Sequence, residues 1–324
     1  MRAFSFDPTE LRDLYREQGW VHIPGGADSE FLAEVQAFVA NEASSTVLKG
    51  RGIGGRMEQS AYPLPDESEF IAHLFDTIST LCGLERESMT LSERHIKAYE
   101  PDTPEEVPPH KDRLSSQASV GFSITVPAGS TLVLYPFDER SVNPFNFSGA
   151  LRESLPPDRL PEAALEGARE VVIADAPGDV MVFPGSSLWH GRRRSAGAVN
   201  LYLKFNDFNS DPLGEDPSTV SRRERTVASA QNGAIAELRP TLARRLDTIT
   251  HQQTRADGVA LISADVWGQP PVALTEAQLE VLRKVDGSRS VNDLAAEVDG
   301  STVESGQVEA EIRRLASDGV IDLL

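Results

Sequence analysis

Cysteine is all but missing from this chain: Cys82 is the single example in 324 residues. An internal disulfide is excluded, cysteine-based metal sites are excluded with it, and a reducing cytoplasmic location is expected. No run of about 18 uncharged apolar residues occurs, so no membrane span is expected. The opening residues, MRAFSFDPTELRDLYREQGW, carry charge throughout and have no apolar stretch of the kind a signal peptide needs. Basic residues are in deficit, 31 against 50 acidic ones, for a formal net charge of -19. Nucleic acid and anionic membranes are polyanions, so that balance speaks against both as partners. Internal repeats and low-complexity tracts are also lacking. What is present is an ordinary hydrophobic content of 40%, enough for a sizeable core. The length suggests two domains, or one large domain with an appendage.

The pattern along the chain changes twice. Near the start, Leu11, Leu14 and Tyr15 share a face of a predicted helix over 8–18, with Pro8 at its beginning and Gly19 just past its end. A short strand, Trp20 to Ile23, closes on Pro24-Gly25-Gly26. A second helix is predicted over 28–41 and a third over about 68–82, with a polar, Gly-containing loop over 44–67 between them. From about 90 to 210 the segments become short and rich in β-branched and aromatic residues. Strands are predicted at Glu93–Tyr99, Ser119–Val126, Thr131–Tyr135, Glu170–Ile173, Asp179–Phe183 and Val199–Phe205, which suggests a sandwich or barrel. Residues 137–168 form a long insertion rich in Pro and charge, of the kind that often covers a site. Residues 208–232 read as a polar interdomain connection and 233–250 as a possible helix. Beyond these lie a strand, VALISADVW, three short helices in LTEAQLEVLRKV, SVNDLAAEV and VEAEIRRLASDG, and a final VIDLL.

The chemistry concentrates in three residues. His110 and Asp112 flank Lys111 directly after a proline pair. On a strand or its exit, residues i and i+2 point the same way, so an imidazole and a carboxylate can converge on one ion. His190 follows 80 residues later in APGDVMVFPGSSLWHG, a turn, a strand, a second turn and then the histidine, which places it near the mouth of a barrel. A lone His-x-Asp is a common coincidence and a lone histidine is more often a half-buried surface group. Together, two histidines and one aspartate have the composition of the facial triad of a non-haem iron(II) oxygenase, which leaves the remaining coordination positions open.

These residues resemble the phytanoyl-CoA dioxygenase-like branch of the iron(II)/2-oxoglutarate oxygenases. Three blocks carry the resemblance: LYREQGWVHIPGGADSEFLAEVQAFV, VPPHKD and APGDVMVFPGSSLWHGRRRSAGAVNLYLKF. It covers about residues 11–206. It implies an α+β chain with a double-stranded β-helix core, a jelly-roll or cupin-like barrel, flanked by N-terminal helices. It also implies Fe(II), 2-oxoglutarate and O2, with release of succinate and CO2 and hydroxylation of an unactivated C–H bond. Related halogenases lack the carboxylate, so Asp112 favours hydroxylation, with desaturation or ring formation left open. One position departs from the pattern. Relatives place an arginine about ten or eleven residues after the distal histidine to hold the far carboxylate of 2-oxoglutarate; here those positions are Asn200 and Leu201. Asn200, Tyr202 and Lys204 alternate on one face of a strand, and Lys204 can hold a carboxylate as a point charge. Lys204 is therefore the expected co-substrate cation, with Arg192, Arg193 and Arg194 as competitors that otherwise read as a solvated turn. Tyr99 and Lys97 share a face of an earlier strand and join Asn200 as candidate co-substrate contacts; barrel packing is the ordinary alternative for Tyr99. Arg192, Arg194 and Trp189 are candidate substrate contacts, Trp189 being more naturally a packing residue.

The expected domains are 1–210 for the oxygenase barrel, 211–254 for a linker and helix, and 255–324 for a small winged-helix-like accessory domain similar to PqqD-like peptide-recognition modules. Such modules add a leader peptide as a strand to a sheet edge. A dimerisation or stabilising cap fits equally well. DNA binding ranks last, because the second helix offers Asp293 and Glu297 and no Lys or Arg. The partners are then a small-molecule, amino-acid or peptide substrate, with a leader peptide or carrier protein and a homodimer also open. The competing reading of the whole is a metal-binding barrel without catalysis, or a regulator built on the peptide-binding module.

Overall fold

Asp7 begins the first helix by accepting a 2.9 Å hydrogen bond from the Thr9 amide; Pro8 occupies the first helical position, and Gly19, at φ 81°, ends it. In the computed structural model, which describes residues 1–41, 57–101, 106–137, 140–253, 260–297 and 305–324, this is α1 (Pro8–Gln18). It is followed by β1 (Val21–Ile23), α2 (Ser29–Asn41), β2 (Met57–Ala61) and α3 (Ser68–Cys82). The loop expected over 44–67 lies partly outside the described residues, and β2 occupies part of the remainder.

Eight strands then build the barrel: β3 (Thr90–Tyr99), β4 (Glu106–His110), β5 (Ala118–Thr125), β6 (Thr131–Tyr135), β7 (Val171–Ile173), β8 (Val180–Phe183), β9 (Trp189–Arg193) and β10 (Val199–Asn206). With β1 and β2 at the edges, they sort into a six-stranded sheet, β1-β8-β5-β10-β3-β2, and a four-stranded sheet, β4-β9-β6-β7. All the pairings are antiparallel. This mixed helix and antiparallel-sheet fold, with the chain passing between two sheets, has jelly-roll strand order. The insertion between β6 and β7, where no element is predicted from sequence, holds α4 (Ser148–Ser154) and α5 (Pro161–Ala164), the latter begun by a proline.

Period-2 alternation decides what each face of the large sheet meets. On β5, Ala118, Val120, Phe122 and Ile124 pack into a core shared with Phe31 and Val35 of α2 and Phe70, Leu74 and Ile78 of α3. On β10, Leu201, Leu203 and Phe205 join the same core. The intervening residues, Ser119 and Ser123 on β5 and Asn200, Tyr202 and Lys204 on β10, are left for the barrel interior. Polar side chains therefore line the space between the sheets, and Ser119, Asn200 and Lys204 are buried there.

Backbone contacts divide the chain into Met1–Phe208 and Asn209–Leu324. The second unit begins with α6 (Pro217–Asn232), in a stretch that reads as a polar connection. Asp216 caps it and Pro217 starts it, but its buried face is Thr219, Thr226 and Ala230, so no apolar period betrays it. The helix expected over 233–250 is instead β11 (Pro240–Leu242) and much of β12 (Leu246–Gln253). Pro240 breaks a helix there, and Thr248, Ile249 and Thr250 favour a pleated strand. Then come β13 (Ala260–Val266), β14 (Val272–Ala273), α7 (Glu276–Leu282), α8 (Val291–Glu297), α9 (Ser305–Ser317) and β15 (Ile321–Leu323). β12, β13 and β14 form one sheet and β11 pairs with β15. This unit has its own core, with Leu279, Leu294, Ile312, Leu315 and Val320 among its members.

Candidate metal centre

The residues that converge are those separated by 80 positions in the chain. β4 and β9 pair so that His110 and His190 stand directly opposite each other. Their rings lie 4.4 Å apart between centroids. Asp112 follows β4 on a segment anchored by its amide to the Gly185 carbonyl (2.8 Å) and by its carbonyl to Asn143 Nδ2 (2.8 Å). One ligand atom from each of His110, Asp112 and His190 lies within 4.8 Å of the others.

Backbone carbonyls settle the tautomers. His110 Nδ1 lies 3.0 Å from the Pro108 carbonyl and His190 Nδ1 2.9 Å from the Leu188 carbonyl. A carbonyl can only accept, so each Nδ1 carries the hydrogen and each Nε2 keeps a lone pair. Both rings use the residue two positions upstream in the same way. Burial lowers the pKa of His110 to about 3, with His190 adding to the effect, and burial also lowers that of His190. The imidazoles are therefore neutral near pH 7, as ligands must be.

Asp112 is treated differently. Burial alone raises a carboxyl pKa, but the Lys204 ammonium, together with that of Lys97, outweighs it and holds Asp112 well below the usual range. Lys204 Nζ is 2.8 Å from Asp112 Oδ1, while Oδ2 accepts from Ser119 Oγ at 2.9 Å and stands 3.7 Å from His190 Nε2. One carboxylate oxygen is thus occupied by a cation and the other faces the imidazoles. Lys204 is in turn 3.1 Å from Glu93, which also meets Lys97 at 3.4 Å and Arg113 at 3.5 Å. Gly185 leaves room for this carboxylate: a Cβ there would run into Ser119 Oγ and Asp112 Oδ2. Gly191, between the distal histidine and Arg192, is similarly required because the β4 backbone at Val107 crosses against it. Two neutral imidazoles and one ionised carboxylate, each oriented by a second partner, fit a divalent transition-metal ion.

Among the described residues, His110 borders an inner and an outer cavity. The inner one is narrow and is lined by the triad with Lys97, Tyr99, Arg192, Tyr202 and Lys204. The outer one, about 210 Å³, is bounded by Pro109, Lys111, Leu151, Arg152, Glu162 and Trp189, so the insertion supplies part of its wall.

The candidate contacts fall in distinct places. Lys204 meets the metal-ligand carboxylate and Glu93. Lys97 lies over the Tyr202 ring, 5.0 Å from its centroid. Tyr99 faces the inner cavity, and buried Asn200 stands 3.5 Å from Arg192 Nη2. Trp189 borders the outer cavity with Lys111 5.0 Å above its ring. The three consecutive arginines divide as a strand requires: Arg192 is buried and ion-paired with Asp175, Arg193 turns outward to Glu170, and Arg194 is exposed at φ 49°. Ser119, Gly185, Glu93 and Asp175 were not singled out from sequence. Their only sequence signals are polar residues alternating with apolar ones in strands, and a glycine beside a proline.

No protein-family model matches the chain, and no curated protein matches it in sequence. Solved structures are similar at low identity. One is the non-haem alpha-ketoglutarate-dependent epimerase SnoN from nogalamycin biosynthesis, 20% identical with a TM-score of 0.43, over 62% of this chain and 83% of that one. Another is the alpha-ketoglutarate-dependent carbocyclase SnoK of the same biosynthesis, 16% identical, TM-score 0.47, over 61% and 83%. A third is HygX from Streptomyces hygroscopicus, with nickel, 2-oxoglutarate and hygromycin B bound, 14% identical, TM-score 0.41, over 62% and 87%.

Proposed function

We propose that this chain is a mononuclear non-haem iron(II) oxygenase that uses 2-oxoglutarate and O2 and hydroxylates an unactivated C–H bond. The observation that carries this reading is the triad of His110, Asp112 and His190, with both Nε2 atoms bearing free lone pairs and one carboxylate oxygen withheld by Lys204. Such a set occupies one side of an ion and leaves its other positions for exogenous ligands. Bound there, iron and the keto acid supply oxygen activation and the oxidising power for C–H cleavage. The protein's own part is to keep the imidazoles neutral, the carboxylate charged and the centre shielded from bulk water. The inner cavity takes the co-substrate, with Tyr99 and Asn200 among its contacts, and the outer cavity takes the molecule to be oxidised. Trp189 and the apolar stems around it suit a small metabolite, an amino acid or a peptide-borne residue of a specialised pathway. The three sequence blocks described above support a phytanoyl-CoA dioxygenase-like subtype.

For the second unit the reading is an accessory module of winged-helix type, supported by the succession α7, α8, α9. The edges of the β12-β13-β14 sheet suit strand addition by a leader peptide or a carrier-protein segment; a cap or dimer contact is the alternative use.

The test of catalysis is succinate release from 2-oxoglutarate under Fe(II) and O2. Wild-type protein is expected to release it and Asp112→Ala to fall to background. Equal release by both would remove the oxygenase reading, and metal binding without any turnover would favour a non-catalytic barrel.

A further inference from the structure

The wall of the inner cavity contains an arrangement that packing alone does not explain. Arg192, two residues past the distal histidine, points into the barrel and is almost fully buried. Its Nη1 donates to Asp175 Oδ1 at 3.1 Å and Ser130 Oγ at 3.0 Å; its Nη2 donates to Asp175 Oδ2 at 2.8 Å. The end of the guanidinium is therefore saturated and its charge balanced before any ligand arrives. Its Nε, by contrast, is buried with no acceptor. Asn200, opposite on β10, turns its Oδ1 toward Arg192 Nη2 at 3.5 Å, and its Nδ2 is likewise buried with no acceptor. Buried N–H groups are nearly always satisfied, so two orphans on neighbouring side chains point to a missing acceptor. Arg192 shares the lining of this cavity with Tyr99, Tyr202 and the three metal ligands.

We propose that Arg192 and Asn200 form the seat for the far carboxylate of the keto diacid, while Lys204 is spent on holding the metal-ligand carboxylate. This assignment rests on the oxygenase reading above. An acceptor-only group with several lone pairs is what two unpaired donors require, and a carboxylate is the common group of that kind. Lys204 is a poor candidate, because both Asp112 and Glu93 already lie within ion-pair distance of its ammonium. Lys97 is the rival cation; it stands beside Glu93 and over Tyr202. Asp175 then has a defined part. It fixes the guanidinium plane and neutralises it in the empty cavity, leaving the Nε edge to read the ligand. Because the seat recognises a carboxylate at a fixed distance from the metal, it selects a five-carbon keto diacid over monoacids.

The test is anaerobic equilibrium binding with Fe(II), followed by calorimetry, which needs no turnover. The ligands are 2-oxoglutarate and 2-oxovalerate, which differ only in that a methyl group replaces the far carboxylate. Wild-type protein is expected to prefer 2-oxoglutarate by about 10- to 100-fold, the range for a charged hydrogen-bonded contact. The double variant Arg192→Met/Asp175→Leu, which leaves no buried charge unpaired, is expected to lose that preference while binding 2-oxovalerate as before. Asn200→Ala is expected to lose part of it, and Lys97→Met to keep it. If the double variant does not fold, Asn200→Ala and the wild-type ligand pair still decide. The proposal is overturned if the preference survives in the arginine variant, is undiminished in Asn200→Ala, disappears in Lys97→Met, or is missing from wild type. Wild-type protein that takes up Fe(II) but neither keto acid would sink the oxygenase reading as well, a result distinct from binding both acids equally.

Discussion

The two units bury charge in opposite ways. In Met1–Phe208, ionisable groups gather in the barrel interior and are held in the form that metal binding needs: His110 and His190 neutral, Asp112 and Glu93 ionised. In Asn209–Leu324, the buried acids Asp211 and Asp322 have raised pKa values, with burial the main cause, and they serve local structure. Asp211 accepts three backbone amides at the start of α6, and Asp322 pairs with Arg222 at 3.2 Å. The first unit spends stability on a cluster of charges that would be simpler to replace with leucine. The second follows ordinary packing rules around Leu315 and Ile312. A buried ion cluster with oriented lone pairs is the physical mark of a site, and only the first unit shows one among the described residues.

That contrast can be broken from either side. The largest effect should come from Asp112→Ala, which removes a ligand and leaves Lys204 with Glu93 alone; bound iron, measured on purified protein, is expected to drop to background. Lys204→Met should come next. It removes one partner of a buried pair, at a cost of about 3–5 kcal/mol, and unties the metal ligand, so metal affinity should also weaken by about 10- to 100-fold. Denaturant midpoints and a metal titration read the two effects separately. In the second unit, Leu315→Ala should cost about 2–5 kcal/mol through the cavity it leaves, yet leave the metal titration of the folded protein unchanged. A shift in metal affinity there would erase the distinction.

The legible parts of the molecule are those where a period meets a single requirement. α1 follows from Pro8, Gly19 and its apolar stripe, β5 and β6 follow from their β-branched residues, and β10 follows from the alternation of Leu201, Leu203 and Phe205 with polar residues. The metal ligands were legible because His-x-Asp and a distal histidine after a turn–strand–turn are scarce together. β9 was not, since Trp-His-Gly-Arg-Arg reads as a turn when its inward residues are functional and its glycine exists to let β4 cross. α6 hid behind a buried face of threonine and alanine. Lys204 and Arg192 show the deeper limit: sequence identifies the cations of a site, but which carboxylate each one meets depends on register between strands far apart in the chain.

Acid should separate the units further. His110 binds its proton at about 3 in the folded chain against its ordinary 6.5, so the unfolded chain takes up protons first as pH falls below 6.5. Stability of the first unit therefore declines between about pH 6.5 and 3. The depressed carboxyls, Asp112 and Glu93, withdraw their contribution only as pH falls below the usual carboxylate range. Asp211 and Asp322 act with the other sign: their contribution is present at low pH and is lost as pH rises through their raised folded values. Hydrogen exchange on metal-free protein at pH 6.5 and 4.5, corrected for intrinsic rates, is expected to show protection lost first in β4 and β9. Earlier loss in α9 would contradict the assignment of the charge cluster as the acid-sensitive element.

The smallest test asks whether the units unfold as separate bodies. Each has a side-chain helix cap that can be removed by itself. Asp7 accepts from Thr9 N in the first unit, and in the second Thr275 and Gln278 form a reciprocal capping box, with bonds of 3.1 and 2.9 Å. Removing either side chain should cost about 1 kcal/mol, enough to move a local transition without disturbing either core. Asp7→Ala is expected to lower only the protection of the first unit and Thr275→Ala only that of the second. If either substitution lowers protection equally throughout the chain, the two units fold as one cooperative body. The opposite acid responses of their buried groups would then partly cancel within a single transition.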